Sequence, residues 1–132
     1  MATRSYDENQ VLIAGNNEYI EEVYVTHTGT ETWTPGWVVM VDPSDLDETV
    51  EWDGTTTDVN APSTDIVTHP TRPTGILLDS VEVSTTKTLV RVARRGAFRA
   101  AQICVAGATR ASKAQVNCLR LNGFMINGSQ TA

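Results

Sequence analysis

Several features that would assign this 132-residue chain to a broad functional class are missing from its sequence. No apolar stretch reaches about 18 residues, the length of a membrane-spanning helix. The first ten residues, MATRSYDENQ, lack the apolar centre and the cleavage site of a secretion signal. We therefore expect neither membrane insertion nor export, and a protein that stays soluble in a cytoplasm. Its 40% of apolar residues suffice for one core.

The sequence also has little of the chemistry that enzymes and metal sites use. Its two cysteines, Cys104 and Cys118, lie in apolar surroundings without CxxC or Cys/His spacing, which predicts buried, reduced thiols rather than a disulfide. The motifs GxGxxG, GxxxxGK and HExxH are absent. The two histidines, His27 and His69, each stand among threonines, where surface and loop positions are expected. The sequence predicts no enzyme, no cofactor and no metal ion.

Acidic residues are scarce in the second half of the chain, and basic residues are scarce in the first. Residues 1–66 contain fourteen Asp and Glu against one basic residue, whereas residues 67–132 contain two acidic residues against nine Lys and Arg. The halves therefore carry −13 and +7, and the net charge is −6. Two interpretations are open: the charges neutralise one another within the fold, or complementary surfaces fix the pairing of copies or partners. Nucleic acid is not an expected partner, because the acidic half repels phosphate.

The patterns of apolar and turn residues predict a domain rich in β-strands. Pro35-Gly36 has the residue types of a type II turn, and Asp53-Gly54 marks a second turn. The apolar run that starts at Trp37 is typical of a strand buried on both faces. The predicted strand segments are YIEEVYVTH (19–27), WVVMV (37–41), TVEW (49–52), GILLDSVEV (75–83) and KTLVRVARR (87–95).

Two longer segments interrupt these strands. Residues 55–74 are predicted to form a loop because three prolines, at positions 62, 70 and 73, donate no ladder hydrogen bonds, and so long a loop is commonly functional. Residues 109–123 form the one predicted helix, with Thr109 or Ser112 as its N-cap and Gly123 just after its end. The predicted apolar stripe of this helix comprises Ala111, Ala114, Cys118 and Leu121.

Two further groups of residues were considered as binding sites. The carboxylates of DPSDLDE, residues 42–48, have the chemistry of a calcium or magnesium site, but the glycine-bearing ligand loop is absent, so a solvated acidic turn is predicted. Among the tryptophans, Trp37 is predicted to be buried. Trp33 lies outside a strand pattern and is predicted to form a partly exposed contact.

Taken in order, six segments of the chain resemble the head decoration proteins of tailed bacteriophages, the family that includes the phage lambda capsid-stabilising protein. They are LIAG, TPGWVVMVD, VEWDGTT, TGILLDSV, TKTLVRVARRGAFR and LRLNGFMI, and they extend from about residue 9 to residue 127. Each is only a turn or a strand, so the resemblance rests on their order and spacing. The proline-bearing loop is longer than in the lambda protein, and the charge split is more extreme.

The resemblance implies a non-enzymatic homotrimer in the virion, on the outer surface of the capsid. It implies that the protein is made in the host cytoplasm and clamps neighbouring major capsid proteins after shell expansion. An N-terminal arm, residues 1–18, would add β-structure to the shell through its apolar island. The candidate capsid-binding residues are Val11, Leu12, Ile13, Ala14 and Gly15, and the possible interface residues are Trp33, Arg91, Arg94, Arg95 and Arg99.

The predicted fold class is therefore a β-rich α+β domain, residues 19–132, built as a compact small β-barrel of β-tulip type. It carries one helix near the C-terminus and an extended N-terminal arm. The alternative function is a β-rich binding module of a phage particle that recognises host surface carbohydrate, for which exposed tryptophans would serve.

Overall fold

The regular elements in the described part of the chain are twelve short strands, one α-helix and one 3-10 helix, Ala100–Gln102. The structure, a computed structural model, describes residues 11–13, 18–42, 44–54, 72–106 and 109–128. In chain order the elements are β1 Leu12–Ile13, β2 Tyr19–Val25, β3 Glu31–Trp33, β4 Val38–Asp42, β5 Asp45–Glu51, β6 Gly75–Leu77, β7 Val81–Val83, β8 Thr88–Arg95, β9 Ala97–Arg99, β10 Cys104–Val105, β11 Thr109–Arg110, α1 Lys113–Leu121 and β12 Met125–Asn127.

Five of these strands close into a barrel in the order β2, β5, β4, β6, β8. Four of the contacts between neighbouring strands are antiparallel. A parallel contact between β2 and β5, at the pair Val25 and Thr49, completes the closure. The predicted fold class, a β-rich small barrel with a single helix, is confirmed.

Side chains fill the inside of the barrel, as is usual for a barrel of this size. On β8 the inward residues are Val90 and Val92, both buried. The largest contribution comes from the indoles of Trp33 and Trp37, which stack with 5.7 Å between ring centroids and 14° between ring planes. The remaining buried residues of this inner core are Val25, Val39, Leu77 and Val83.

A second core covers part of the outer wall of the barrel. Here α1 and the three-stranded sheet β1-β9-β12 contribute side chains that pack with Val38 and Met40 of β4. Val39, between these two residues, belongs to the inner core. The prediction that this apolar run is buried on both faces is confirmed. Other members of the outer core include Trp52, Ile76, Ala93, Phe98, Leu119 and Ile126.

The apolar island at the N-terminal end of the described chain belongs to this outer core. Val11 is 0% and Leu12 6% exposed, and Leu12 pairs with Phe98 across the antiparallel contact of β1 and β9. The prediction that residues 11–13 belong to an arm outside the domain was therefore wrong. The backbone of β1 pairs with β9 of the domain's own three-stranded sheet. Ala14 and Gly15, with the rest of 14–17 and residues 1–10, lie outside the described residues.

Helix α1 has one of the two predicted N-caps and the predicted end, but it starts at Lys113, and Thr109–Arg110 of the predicted helix form β11. Ser112 is the N-cap and forms a capping box with Gln115, in which each side chain bonds the other's backbone N–H. After the last turn, Gly123 adopts φ +94°, and the Phe124 N–H donates to the Leu119 carbonyl at 3.0 Å, as in a Schellman motif. The predicted apolar stripe was partly wrong: within the helix the buried residues are Val116, Cys118 and Leu119, while Ala114 and Leu121 are exposed.

Two other segment predictions need correction. Residues 42–48 do not form an acidic loop: Asp42 ends β4 and pairs with Asp45, the first residue of β5, so the strands are joined by a very short turn. GILLDSVEV is two strands, because β6 joins the barrel while β7 pairs with β3. Of the predicted loop 55–74, residues 72–74 are described, with Thr74 bonded to Val39, and 55–71 lie outside the described residues.

Gly36 is the position where an added side chain should do most harm. Its backbone has φ +103°, and a Cβ would lie 1.8 Å from the Gln102 carbonyl oxygen. We expect Gly36→Ala to lower the free energy of unfolding, measured by urea denaturation, by more than about 3 kcal/mol. Gly123→Ala, with φ +94° but open space, should cost about 1–2 kcal/mol, and Gly29→Ala, also in open space, should change little. Equal losses at Gly36 and Gly123 would contradict the predicted clash.

Candidate functional site

One stretch of the barrel wall exposes large apolar side chains. We define the outer ladder as Tyr19, Ile20, Glu22 and Tyr24 on β2 together with Leu89, Arg91 and Arg95 on β8. The exposed fractions are 50% for Tyr19, 39% for Ile20, 52% for Tyr24 and 48% for Leu89. Contiguous exposed apolar residues on a soluble protein commonly mark an interaction surface.

Strand pairing places these side chains next to one another. Tyr24 lies opposite Leu89, Glu22 opposite Arg91, and Tyr19 opposite Arg95. Because successive residues of a strand point to opposite faces, the inward valines of β2 and β8 leave Tyr24, Leu89, Glu22 and Arg91 on the outer wall. Alternation does not place Tyr19, whose pairing with Arg95 follows the register shift between Tyr19 and Ile20. The outer ladder therefore presents exposed apolar side chains beside Glu22 on β2 and beside Arg91 and Arg95 on β8, and the two strands are hydrogen-bonded to each other.

The charged residues of the outer ladder are already positioned by contacts within the chain. Asp79 forms an ion pair with the guanidinium of Arg91 at 2.7 Å, and one of its oxygens also accepts the Arg91 backbone N–H at 2.8 Å. At the other end, the guanidinium of Arg95 lies over the Tyr19 ring, 5.9 Å from its centroid. Both contacts restrict side chains that would otherwise lose rotamer freedom on binding a partner.

The structure separates the interface residues that the sequence predicted. Arg91 and Arg95 share the outer ladder. The expectation that Trp33 is partly exposed was wrong: it is 0% exposed in the inner core, whereas Trp37 is buried as predicted. The reason is that Trp33 belongs to β3, which pairs with β7 and turns this indole into the barrel.

The other two predicted interface arginines lie elsewhere. Arg94 points to the opposite side of β8, where it donates to Glu21 at 2.6 Å and to the Thr74 carbonyl at 3.0 Å. Arg99 donates to the Leu12 carbonyl at 3.3 Å and so supports β1. The Arg94–Glu21 pair joins the basic half of the chain to the acidic half. At this point of the fold, the pair supports the interpretation that the charges of the two halves neutralise one another within the chain.

Arg94 also borders a cleft that contains a second guanidinium. Burial, and secondarily the charge of Arg94, lowers the pKa of Arg72. The Arg72 Nε is buried without a hydrogen-bond partner, and the cleft has a volume of about 330 Å³. The described lining of this cleft includes two guanidinium groups and one carboxylate, that of Glu21, so positive charge is in excess there. It lies on the other side of β8 from the outer ladder.

Sequence reasoning missed the tyrosines and Leu89 as surface residues. The signal was present: YIEEVYV breaks strict alternation at Tyr19-Ile20, where the structure has a register shift between β2 and β8. On β8, Leu89 and Arg91 alternate with the buried Val90 and Val92, which places them on the opposite face of the strand. Sequence alone did not show that β2 and β8 would be neighbours with these faces aligned.

The two thiols occupy different environments. Cys118 lies in the outer core, where burial raises its pKa to about 12 against a smaller opposite effect of the Asn122 side chain. Cys104 is half-buried, and desolvation raises its pKa as well, opposed by the charge of Arg110. Neither cysteine forms a disulfide. Such thiols are poor nucleophiles and metal ligands near neutral pH, because both roles need the thiolate.

Comparison with known proteins does not place the chain in a family. No model of a protein family matches it, and no curated protein matches its sequence. In the described part of the chain, no helix is both long enough and apolar enough to span a membrane.

Thiol labelling tests the two cysteine environments. Since a raised pKa leaves less thiolate at a given pH, we expect Cys118 to resist alkylation at pH 8 while Cys104 reacts slowly. Labelling of Cys104 should accelerate as the pH rises, and denaturant should make both thiols react fully. Mass spectrometry of tryptic peptides locates the label. Equal rates at the two cysteines in the native protein, or a disulfide before reduction, would contradict this assignment.

Proposed function

We propose that the protein is a structural decoration protein of a tailed-phage head, which binds the outside of the expanded shell as a homotrimer and contacts the major capsid protein. The observation that carries the proposal is the outer ladder, an exposed apolar surface on a closed barrel. The ordered sequence segments that resemble head decoration proteins supply the partner. The role proposed is mechanical stabilisation of the shell against the pressure of packaged DNA, not catalysis.

The outer ladder has the composition of a protein contact surface. Tyrosines are enriched at interfaces because each gives a large contact area at a small entropic cost and carries a hydroxyl group for the polar rim. Tyr19 and Tyr24 flank the exposed Glu22 on one strand, and Leu89 faces Tyr24 from the other. A rigid barrel wall presents these groups without the ordering cost of a loop.

In the proposed trimer, the outer ladder is one of the two surfaces of a head-to-tail contact. A cyclic trimer uses two different patches of each subunit, and each patch meets the complementary patch of the next. The outer ladder offers an acidic side chain on β2 and basic ones on β8, so charge can set the register of the contact. Three linked subunits bridge several capsid proteins, and rupture then requires several contacts to break together.

The apolar island is not the part of the N-terminal segment that we propose contacts the capsid. Val11 and Leu12 pack in the outer core and β1 pairs with β9, so these residues are committed to the domain itself. Residues 1–10 are the part of the segment left for strand addition to the shell. A truncation that tests this role must end before Val11, because a longer one removes β1.

The alternative function, recognition of host carbohydrate, depended on exposed tryptophans, and the structure does not show them. All three tryptophans are buried: Trp33, Trp37 and Trp52 are each at most 1% exposed. No indole is therefore available to stack on a sugar ring in the described residues.

Binding to purified shells tests the proposed function directly. Full-length protein mixed with expanded and unexpanded heads of the phage that encodes it should bind the expanded heads alone, saturably and in multiples of three copies. Sedimentation of the mixture and electron cryo-microscopy of the pellet measure copy number and position. Equal binding to both shells, or binding to neither, would overturn the proposal.

Substitutions in the outer ladder test the contact between subunits. We expect Tyr24→Ser with Leu89→Ser to abolish the trimer in sedimentation experiments, because the two exposed side chains that face each other are lost. As surface positions, they should change the stability of the isolated subunit by less than about 0.5 kcal/mol each. The matched control is Met125→Ser, which removes a 55% exposed apolar side chain on β12. If the control and the double variant dissociate equally, the outer ladder is not the contact.

A further inference from the structure

At one end of the barrel, three potential metal ligands converge from three separate elements. His27 lies two residues after the end of β2, Glu31 begins β3, and Glu51 ends β5. The backbone of His27 is fixed by its N–H, which donates to the Ser84 carbonyl at 2.8 Å. His27 and Glu31 are only four residues apart in the sequence, and closure of the barrel between β2 and β5 brings Glu51 to them.

The distances among their ligand atoms suit one small cation. His27 Nε2 lies 2.8 Å from Glu31 Oε1 and 3.7 Å from Glu51 Oε1, and all three ligand atoms lie within 4.8 Å of one another. Ligands about 2.0–2.2 Å from a shared zinc ion in tetrahedral geometry lie roughly 3.4 Å apart. An ion placed among these atoms would therefore have to separate His27 Nε2 and Glu31 Oε1 by roughly 0.6 Å.

Both carboxylates are held by indoles that are themselves fixed in the inner core. The Trp33 Nε1–H donates to Glu31 Oε1 at 3.0 Å, and the Trp37 Nε1–H donates to Glu51 Oε2 at 3.1 Å. The Trp37 bond leaves Glu51 Oε1 directed toward His27. Such outer hydrogen bonds orient the ligands of known metal sites and are typically needed for full affinity.

The surroundings favour a cation and admit water. The three side chains are 20%, 33% and 24% exposed for His27, Glu31 and Glu51, so they are partly desolvated but reachable. His27 and Glu51 border an open cavity of about 470 Å³, whose described lining also includes the carboxylates Asp42 and Glu48 and contains no Lys or Arg. With a neutral imidazole, the three ligands carry a charge of −2, which a divalent ion balances.

We propose that His27, Glu31 and Glu51 form a binding site for a divalent transition-metal ion, with zinc as the expected occupant. An imidazole nitrogen with two carboxylates is a ligand set that zinc accepts, and three protein ligands leave one position for water. Calcium and magnesium favour all-oxygen sites, so the imidazole selects against them. The ion would join the ends of β2, β3 and β5. This assignment is independent of the proposed capsid function.

A protonated His27 bridging the two carboxylates is the other state these atoms can form, and metal binding would have to displace that proton. Titrating the untagged full-length protein with zinc at pH 7, with the heat of binding measured by isothermal calorimetry, distinguishes the two states. We expect one ion per chain and an increase in the melting temperature, because the ion binds the folded state. Failure of the wild-type protein to bind zinc below about 1 mM would overturn the proposal.

Variants locate the site. His27→Gln and Glu51→Gln should each weaken zinc binding at least about tenfold, and Trp37→Phe, which removes the donor that orients Glu51, should also cost about tenfold. Glu48→Gln is the matched control: it removes the same charge from the same cavity at a carboxylate that accepts a bond from Thr26. It should change affinity within about twofold, since a carboxylate that does not bind the ion acts only through a screened charge.

Cobalt in place of zinc provides a readout of the ligand atoms. We expect weak visible bands without the near-ultraviolet charge-transfer band of a thiolate, because Cys104 and Cys118 are not among the ligands. A thiolate band, or a loss of affinity in Glu48→Gln as large as in Glu51→Gln, would place the ion elsewhere. Circular dichroism of each variant verifies folding, and Glu31→Gln replaces any ligand variant that fails to fold.

Discussion

Closure of the five-stranded barrel is the constraint on which the other features of this protein depend. The closing contact is the parallel one between β2 and β5, where Val25 pairs with Thr49 and the Thr26 N–H donates to the Thr49 carbonyl at 3.2 Å. Once these two strands are neighbours, the residues just beyond Val25 meet the end of β5. Both the outer ladder and the group formed by His27, Glu31 and Glu51 depend on which strands become neighbours.

The barrel wall separates two cores, and its strands serve both. In β4 the middle residue of Val38-Val39-Met40 packs inside while the other two pack outside. Strand β8 is covered unevenly: Ala93 lies beneath the outer core, whereas Leu89 is left exposed. The outer core therefore stops partway along β8, and the remaining uncovered wall is the surface proposed to contact another subunit.

Local sequence signals were sufficient where a structure is determined by neighbouring residues. The cap of α1 at Ser112, its end at Gly123, and the burial of the apolar run after Trp37 were all predicted. The predictions that failed concern pairing over long distances. Trp33 was expected at the surface because β3 is only three residues long, and its partner β7 lies about fifty residues away. The N-terminal island was assigned to an arm because its partner, β9, is further away still.

The sequence by itself determined that the chain is rich in strands, has one capped helix, and divides its charge between its halves, because each property depends on composition or on residues within one turn or strand. The tertiary structure decided which faces stay exposed and which side chains meet. The exposed side chains of YIEEVYV came to lie beside Leu89 and Arg91 only when β8 paired with β2. Glu51 joined His27 and Glu31, which are only four residues apart, when the barrel closed, since hydrogen-bonded strands set side-chain neighbours that sequence spacing does not contain.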